Sequence, residues 1–192
     1  MDRDLRGISA KGFKAFLEDN ENALLSEAFW SVGLVQNLET SSVASPFLNI
    51  YLAAQIYMDE RSLPSNSAKV VDLVSVAGDV HHIFPKEYLK QSGITDKSKY
   101  NQVANYAYLD TGVNISIGKR EPADYFSAAL AQCSTGVIKV GTITNTDEFL
   151  ENLDTNCIPQ ENVEMTAQDY PEYLQKRRAM MAAKIRKYYY SL

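Results

Sequence analysis

The segment from Asp79 to Pro85 constrains this chain more than any other, because it concentrates the chain's most reactive side chains in a short apolar frame. It contains the only two histidines, His81 and His82, which follow shortly after an aspartate. The valine, isoleucine and phenylalanine around them favour a strand. Pro85 ends that strand and opens a short helix that runs to Ser92. The pair can be explained as two polar residues near a strand end, but the neighbouring carboxylate favours a chemical role.

The bulk properties restrict the class of protein. A chain of 192 residues suits one domain, or one domain with a helical extension. Its apolar runs fall short of the roughly 18–20 residues that span a bilayer, and its charged first residues do not resemble a secretory signal. Cys133 and Cys157 are isolated, which is too few for a disulfide framework or a four-cysteine zinc site. These properties predict a reduced, cytoplasmic protein without a membrane segment.

The charge of the chain is unevenly distributed. The net charge is −5, which on its face argues against nucleic acid as a partner. Between Pro171 and Leu192, however, six lysines and arginines stand against one acid, Glu172, so this segment is +5 and the remainder is −10. A basic end on an acidic body is compatible with a localised contact to phosphate.

Helical signals dominate the first third of the chain. Apolar residues at helical spacing predict a helix from Asn20 or Glu21 to about Gln36. Its predicted apolar face consists of Leu25, Ala28, Phe29 and Val32. A second helix is predicted to begin at Ser45-Pro46, a capping hydroxyl followed by proline, and to end near Arg61.

The polar run 63–67 is the best internal boundary. It divides the chain into a helical N-terminal extension, 1–66, and a second unit, 67–192, which carries the histidines. Directly after the boundary, residues 70–76 are apolar without a clear period and fit either a helix or a buried strand.

After the histidine segment the pattern becomes mixed. Residues 106–109 predict a second strand, and Asp110 or Thr111 can cap a short helix that carries Asn114 and ends at Gly118. Further helices are predicted from Glu121-Pro122 to about residue 132, over residues 147–153, and from Asp169 towards residue 190. Residues 137–144 fit a strand or an extended loop.

The order strand, loop, strand, short helix is typical of a known family. Residues 79–85, followed by Asn105-Tyr106 and later by Asn114 with Ile117-Gly118, resemble the ββα-metal motif of HNH (His-Me finger) endonucleases. The chain also contains the run 81–86, the run Tyr100-Asn101-Gln102, the pair Pro122 and Tyr125, and an ending that extends from Arg177-Arg178 to Tyr188-Tyr189. With these, the sequence from about Leu24 to Leu192 is similar to the C-terminal part of GmrSD-type restriction proteins. The resemblance implies an α+β fold, mainly helical with an embedded ββα-metal (HNH) nuclease motif. It also implies a metal-dependent DNA endonuclease in prokaryotic restriction or antiviral defence.

The resemblance assigns roles to individual residues. His82 matches the general base, and Asn105 matches an asparagine that pins the intervening loop and holds the base in place. His81 and Asn114 match ligands of a divalent metal, Mg²⁺ or Mn²⁺. The ligand position held here by His81 is often aspartate in the family, and imidazole favours Mn²⁺ somewhat over Mg²⁺. Asp79 is a further candidate ligand, or a residue that orients an imidazole.

Partners follow from the same resemblance and from the charge. The main partner is expected to be DNA. GmrSD-type proteins also have an N-terminal nucleotide-dependent specificity domain, and this chain contains no glycine-rich phosphate loop, so it is expected to be a C-terminal fragment. At about 100° per residue, four basic residues of the last helix share one sector. The candidate DNA phosphate contacts are Lys119, Arg120, Lys176, Arg177, Lys184 and Lys187.

Two other functional hypotheses remain open beside the endonuclease. The chain can be a catalytically degenerate module that binds nucleic acid through its basic last helix. It can also be an interaction module that docks another domain through residues 10–61. For the basic helix itself, a solvated face beside a core stripe is as good an explanation as a phosphate contact.

Overall fold

The computed structural model describes residues 2–76, 80–160 and 164–192, and in these ranges the protein is mainly helical with one small antiparallel sheet. This confirms the α+β class. The helices are α1 Asp2–Lys11, α2 Phe13–Leu24, α3 Leu34–Asn37, α4 Pro46–Tyr57, α5 Val70–Ser75, α6 Lys86–Gln91, α7 Lys97–Tyr100, α8 Thr111–Ile117, α9 Pro122–Thr135, α10 Thr146–Thr155 and α11 Tyr170–Tyr189. A π-helical turn, Phe29–Gly33, precedes α3, and a 3₁₀ turn, Val103–Asn105, precedes the second strand.

The sheet pairs β1, Val80–His82, with β2, Tyr106–Tyr108. His81 lies opposite Ala107, and His82 lies opposite Tyr106. The helix α8 follows β2 directly, because Asp110 accepts a hydrogen bond from the Gly112 amide at 2.8 Å and so caps the helix start. It ends at Gly118, which has a φ of 58°. The predicted order of strand, strand and short helix is therefore confirmed.

Other local signals also predicted helix starts. The Ser45 hydroxyl accepts from the Phe47 amide at 3.2 Å, with Pro46 at the first helical position. The helix α4 ends at Tyr57, earlier than predicted, and the chain turns at Asp59, which has a φ of 55°. The open alternative for residues 70–76 is resolved as helix α5.

The predicted helix from Asn20 or Glu21 to Gln36 is wrong as one continuous element. The helix α2 ends at Leu24, and after a bend a π turn leads into α3. A π turn adds a residue to the helical repeat and rotates the buried face. Val32, predicted to face the core, is therefore 52% exposed, while Trp30 is 5% exposed. The helix α2 buries none of its residues.

The hydrophobic core is continuous across the predicted boundary near residues 63–67. It includes Leu34 and Leu52 from before the boundary and Phe84 and Phe149 from after it. The boundary run itself is partly buried, with Leu63 almost fully covered. The amide of Asn152 donates to the carbonyl oxygen of Ser62 at 3.1 Å, which ties this run to α10.

The helix α11 is the central element of the fold. It packs against α3, α4 and the 3₁₀ turn before β2. Its buried residues are Tyr170, Tyr173, Leu174, Arg177, Arg178, Met181, Ala182 and Ile185. Because neighbours surround it on several sides, it buries a sector much wider than the stripe of a surface helix. Within the described ranges, no helix has both the length and the apolar character needed to cross a membrane.

Candidate active site

The two histidines lie at the end of a strand. Both are half-buried, and β1 ends at His82. Successive residues of a strand point to opposite faces, so two adjacent histidines can serve one site only where the strand ends or bends. The strand ends at that point, and the Ile83 amide donates to the Asn105 carbonyl oxygen at 2.9 Å just beyond it. We call β1, β2 and the segment between them, residues 80–108, the histidine hairpin.

The ring of His82 is held on two sides. Its Nε2 lies 2.9 Å from Oδ1 of Asn101. The Tyr106 ring contacts it edge to face, with centroids 5.3 Å apart. Burial lowers the pKa of His82, the hydrogen bond to Asn101 opposes this shift, and the charges of Lys86 and His81 lower the pKa further. This shift favours the neutral imidazole, the state in which it can accept a proton.

Asn105 is fully buried and ties together the two ends of the segment between the strands of the histidine hairpin. Its Oδ1 accepts from the Phe84 amide at 2.8 Å, and its Nδ2 donates to the carbonyl oxygens of Phe84 and Tyr100, both at 3.1 Å. All three of these bonds go to the backbone. The side chain pins the chain just after His82 to the chain just before β2.

The expected metal ligands lie on two different elements of the motif. His81 is on β1 and Asn114 is on α8, and both side chains are half-buried. On α8 the neighbouring positions Val113 and Ile117 are buried in the core, so the helix is anchored while Asn114 stays at its edge. The third candidate, Asp79, lies outside the described residues.

The donor chemistry of these residues fits a weakly held divalent ion. An imidazole nitrogen and an amide oxygen are neutral donors, suited to Mn²⁺ among the metals that nucleases use. No group of three or more His, Cys, Asp or Glu side chains suitable for a metal occurs in the described ranges. A cation held by His81 and Asn114 would keep positions for water and for phosphate oxygens of a substrate.

The two basic residues after α8 have different environments. Lys119 is exposed. Arg120 is half-buried and turns back on α8, where its Nε donates to the Ile117 carbonyl oxygen at 3.3 Å and its Nη2 donates to the Ser116 carbonyl oxygen. These bonds satisfy carbonyl groups at the end of the helix. Lys119 is therefore the freer of the two for a phosphate contact.

The structure contradicts two of the four phosphate contacts that were predicted on α11. Arg177 is 1% exposed, and its guanidinium donates to the carbonyl oxygens of Ala104, Tyr106 and Asn156 at 2.8–3.3 Å. A side chain buried and bonded in this way does not reach DNA, so its prediction as a phosphate contact is wrong. The reason is the wide buried sector of α11, which includes the edge of the predicted basic face.

Lys184 is also turned inward. It forms an ion pair with Glu60 and donates to the Thr155 carbonyl oxygen at 2.6 Å, and both charged side chains are nearly covered. The prediction of a phosphate contact is wrong for this residue too, because its charge is neutralised inside the fold. Lys176 pairs with Glu172 at 3.0 Å, and Lys187 is exposed. Of the four predicted phosphate contacts on α11, Lys176 and Lys187 therefore remain at the surface.

Sequence reasoning missed two residues beside His82. Asn101 bonds the imidazole, and Lys86 acts on it through its charge. Lys86 was detectable, because it directly follows the histidine segment. Asn101 stands in one of the runs that carry the family resemblance, but its contact with His82 depends on how the loop between the strands folds back over a separation of 19 residues.

The comparisons with known proteins do not add to this description. Searches against family models, curated proteins and solved structures found no match for this chain.

Proposed function

We propose that this chain is a metal-dependent DNA endonuclease domain of the HNH type. The observation that carries the proposal is the chain order of β1, β2 and α8, with His82 at the end of β1 and a buried asparagine, Asn105, bonded to the backbone just after β1. The motif resemblance supports a place in a prokaryotic restriction or antiviral protein, next to an N-terminal NTPase or specificity domain.

The proposed reaction is hydrolysis of a phosphodiester bond. His82 removes a proton from water as the water oxygen bonds to phosphorus, and the bond from phosphorus to the 3′ oxygen breaks. The departing oxygen then takes up a proton from solvent. A bound Mg²⁺ or Mn²⁺, held by His81 and Asn114, would stabilise the negative charge on the phosphoryl centre and the leaving oxygen.

The DNA backbone would be met by the cations that remain at the surface. Lys86 follows β1, Lys119 follows α8, and both are exposed. Lys176 and Lys187 on α11 extend the set. These lysines are few, and the net charge of the chain is −5. DNA binding should therefore be weak, and its affinity should depend only shallowly on salt concentration.

Plasmid nicking tests the proposal directly. The parent protein should cleave supercoiled DNA with Mn²⁺ or Mg²⁺, and His82→Ala should lose about 100-fold or more of the rate, because it removes the base. Asn49→Ala changes an exposed residue of α4 and is the matched control. A parent that cleaves with neither metal would contradict the proposal, as would a His82→Ala variant that cleaves at the parent rate.

The degenerate module is the competing function, and the structure weakens its main support. That hypothesis used the basic face of α11, and two of its four cations, Arg177 and Lys184, are held inside the fold. Calorimetry separates the two functions. The endonuclease should bind Mn²⁺ with an affinity that His81→Ala abolishes, whereas a degenerate module would bind DNA without such a metal site.

A further inference from the structure

The contact between His82 and Asn101 bears on which ring nitrogen of His82 carries hydrogen, as well as on the position of the ring. The atoms that approach at 2.9 Å are Nε2 of the imidazole and the side-chain oxygen of Asn101. An amide oxygen only accepts hydrogen bonds, so in the neutral ring Nε2 must carry the hydrogen. The other ring nitrogen, Nδ1, is then the one with a free electron pair.

Asn101 is itself held firmly enough to impose this choice. It follows α7, and its backbone amide donates to the Lys97 carbonyl oxygen at 3.0 Å. The preceding carbonyl oxygen, that of Tyr100, accepts from Asn105 at 3.1 Å and from the Tyr170 hydroxyl at 3.3 Å. The peptide group that precedes the Asn101 side chain is therefore held at both its amide and its carbonyl oxygen.

The imidazole has little freedom to escape this arrangement. It forms an edge-to-face contact with the Tyr106 ring, with an angle of 88° between the two planes. A flip of the ring would move Nε2 away from Asn101 and leave the half-buried amide oxygen without its donor. The hydrogen bond and the aromatic contact thus favour one orientation.

We propose that Asn101 is a positioning residue that keeps His82 in the tautomer with hydrogen on Nε2, so that Nδ1 is the atom that takes the proton from water. The chemical consequence rests on the proposed function, while the choice of tautomer does not. Asn101 acts only through His82. It differs from Asn105, whose side chain bonds the backbone at Phe84 and Tyr100.

The tautomer can be read without any activity measurement. In ¹⁵N spectra of the histidine rings, recorded where the rings are neutral, the two nitrogens of His82 have distinct shifts that show which one carries hydrogen. The parent protein should show hydrogen on Nε2. Asn101→Leu should shift the population towards Nδ1–H, whereas Asn101→Asp, which keeps an oxygen acceptor at this place, should retain the parent tautomer. Asn49→Leu on the exposed face of α4 is the control.

Cleavage and metal titration complete the test. Asn101→Leu should lower the cleavage rate about 10–100-fold, the usual effect of removing a partner that orients a catalytic group. Its Mn²⁺ affinity should stay at the parent value, and Asn101→Asp should recover part of the rate. A purely structural role would lower the rates of both variants together and would leave the ¹⁵N pattern unchanged.

The outcomes separate this inference from the proposed function. A parent spectrum with hydrogen on Nδ1 would overturn the inference even if the protein cleaves DNA. So would an Asn101→Leu variant that keeps both the parent tautomer and the parent rate. A parent with Nε2–H that does not cleave would overturn the endonuclease while the assignment of the tautomer to Asn101 stands.

Discussion

The histidine hairpin and the helix α11 place their nitrogen-bearing side chains in opposite environments. In the hairpin, His82 is half-buried, and one hydrogen bond with one ring contact holds it at the end of a strand. In α11, Arg177 is fully enclosed, and three backbone carbonyl oxygens accept from it. The hairpin leaves a basic nitrogen of His82 available, whereas in α11 the guanidinium of Arg177 stabilises the fold.

The difference shows what a polar side chain in each environment can do. A half-buried imidazole with one partner can still meet a substrate. A buried guanidinium with several partners can contribute only to stability and to the placement of other groups, since removing it from its site would leave buried carbonyl oxygens without donors. The two regions are nevertheless connected. Arg177 bonds the carbonyl oxygens of Ala104 and Tyr106, which flank Asn105 in the hairpin.

The largest expected effect is on α11. Arg177→Met keeps most of the side-chain volume but leaves three buried carbonyl oxygens without their donor, so the free energy of unfolding should fall by about 3 kcal/mol. Lys187→Met is the matched control on the same helix, at an exposed position, and should change stability by no more than about 0.5 kcal/mol. Urea unfolding measures both. Equal effects of the two variants would mean that Arg177 does not hold the hairpin to the helix.

A smaller effect is expected inside the histidine hairpin. Asn105→Ala removes the bonds to Phe84 and Tyr100 and should lower the free energy of unfolding by about 2 kcal/mol. It should also broaden the ¹⁵N signals of His82, because the loop that carries Asn101 is released. Asn114→Ala, at a half-buried position of α8, should have the smaller effect on stability. The opposite order of the two variants in urea unfolding would contradict the loop-pinning role.

The smallest expected effect is a pH dependence at the far end of α11. Burial raises the pKa of Glu60, although its partner Lys184 opposes the shift. A carboxyl group whose folded pKa lies above its unfolded value stabilises the protein less as pH rises, so the stability contributed here should be lost from about pH 4.5 upward. Glu60→Gln should remove this loss, as shown by urea unfolding between pH 4 and 7.

Glu27, the partner of Arg186 on the same helix, provides a control of opposite sign. It is exposed, and its hydrogen bond to Arg186 lowers the pKa of its carboxyl group. Its contribution should therefore be present above its unfolded pKa and be lost as pH falls. If Glu60→Gln and Glu27→Gln change the pH profile in the same direction, the buried character of the Glu60 and Lys184 pair is refuted.

Much of the local structure followed from the sequence, because its causes are local. Ser45, Asp110 and Gly118 define helix ends through hydrogen bonds and backbone angles that involve only a few neighbouring residues. The two strands and the short helix α8 were predictable for the same reason. The candidate site could be located in this way, since His81, His82, Asn105 and Asn114 are concentrated on these elements.

The environment of each side chain was decided only by the tertiary structure. The π turn at Phe29–Gly33 changed which residues of the first third are buried. Arg177 is buried and Lys184 is turned inward because other elements pack around α11 on several sides. Asn101 became a partner of His82 only because the loop folds back across the sheet. A spacing pattern determines which face of an element a residue occupies, whereas burial and hydrogen-bond partners depend on what packs against that face.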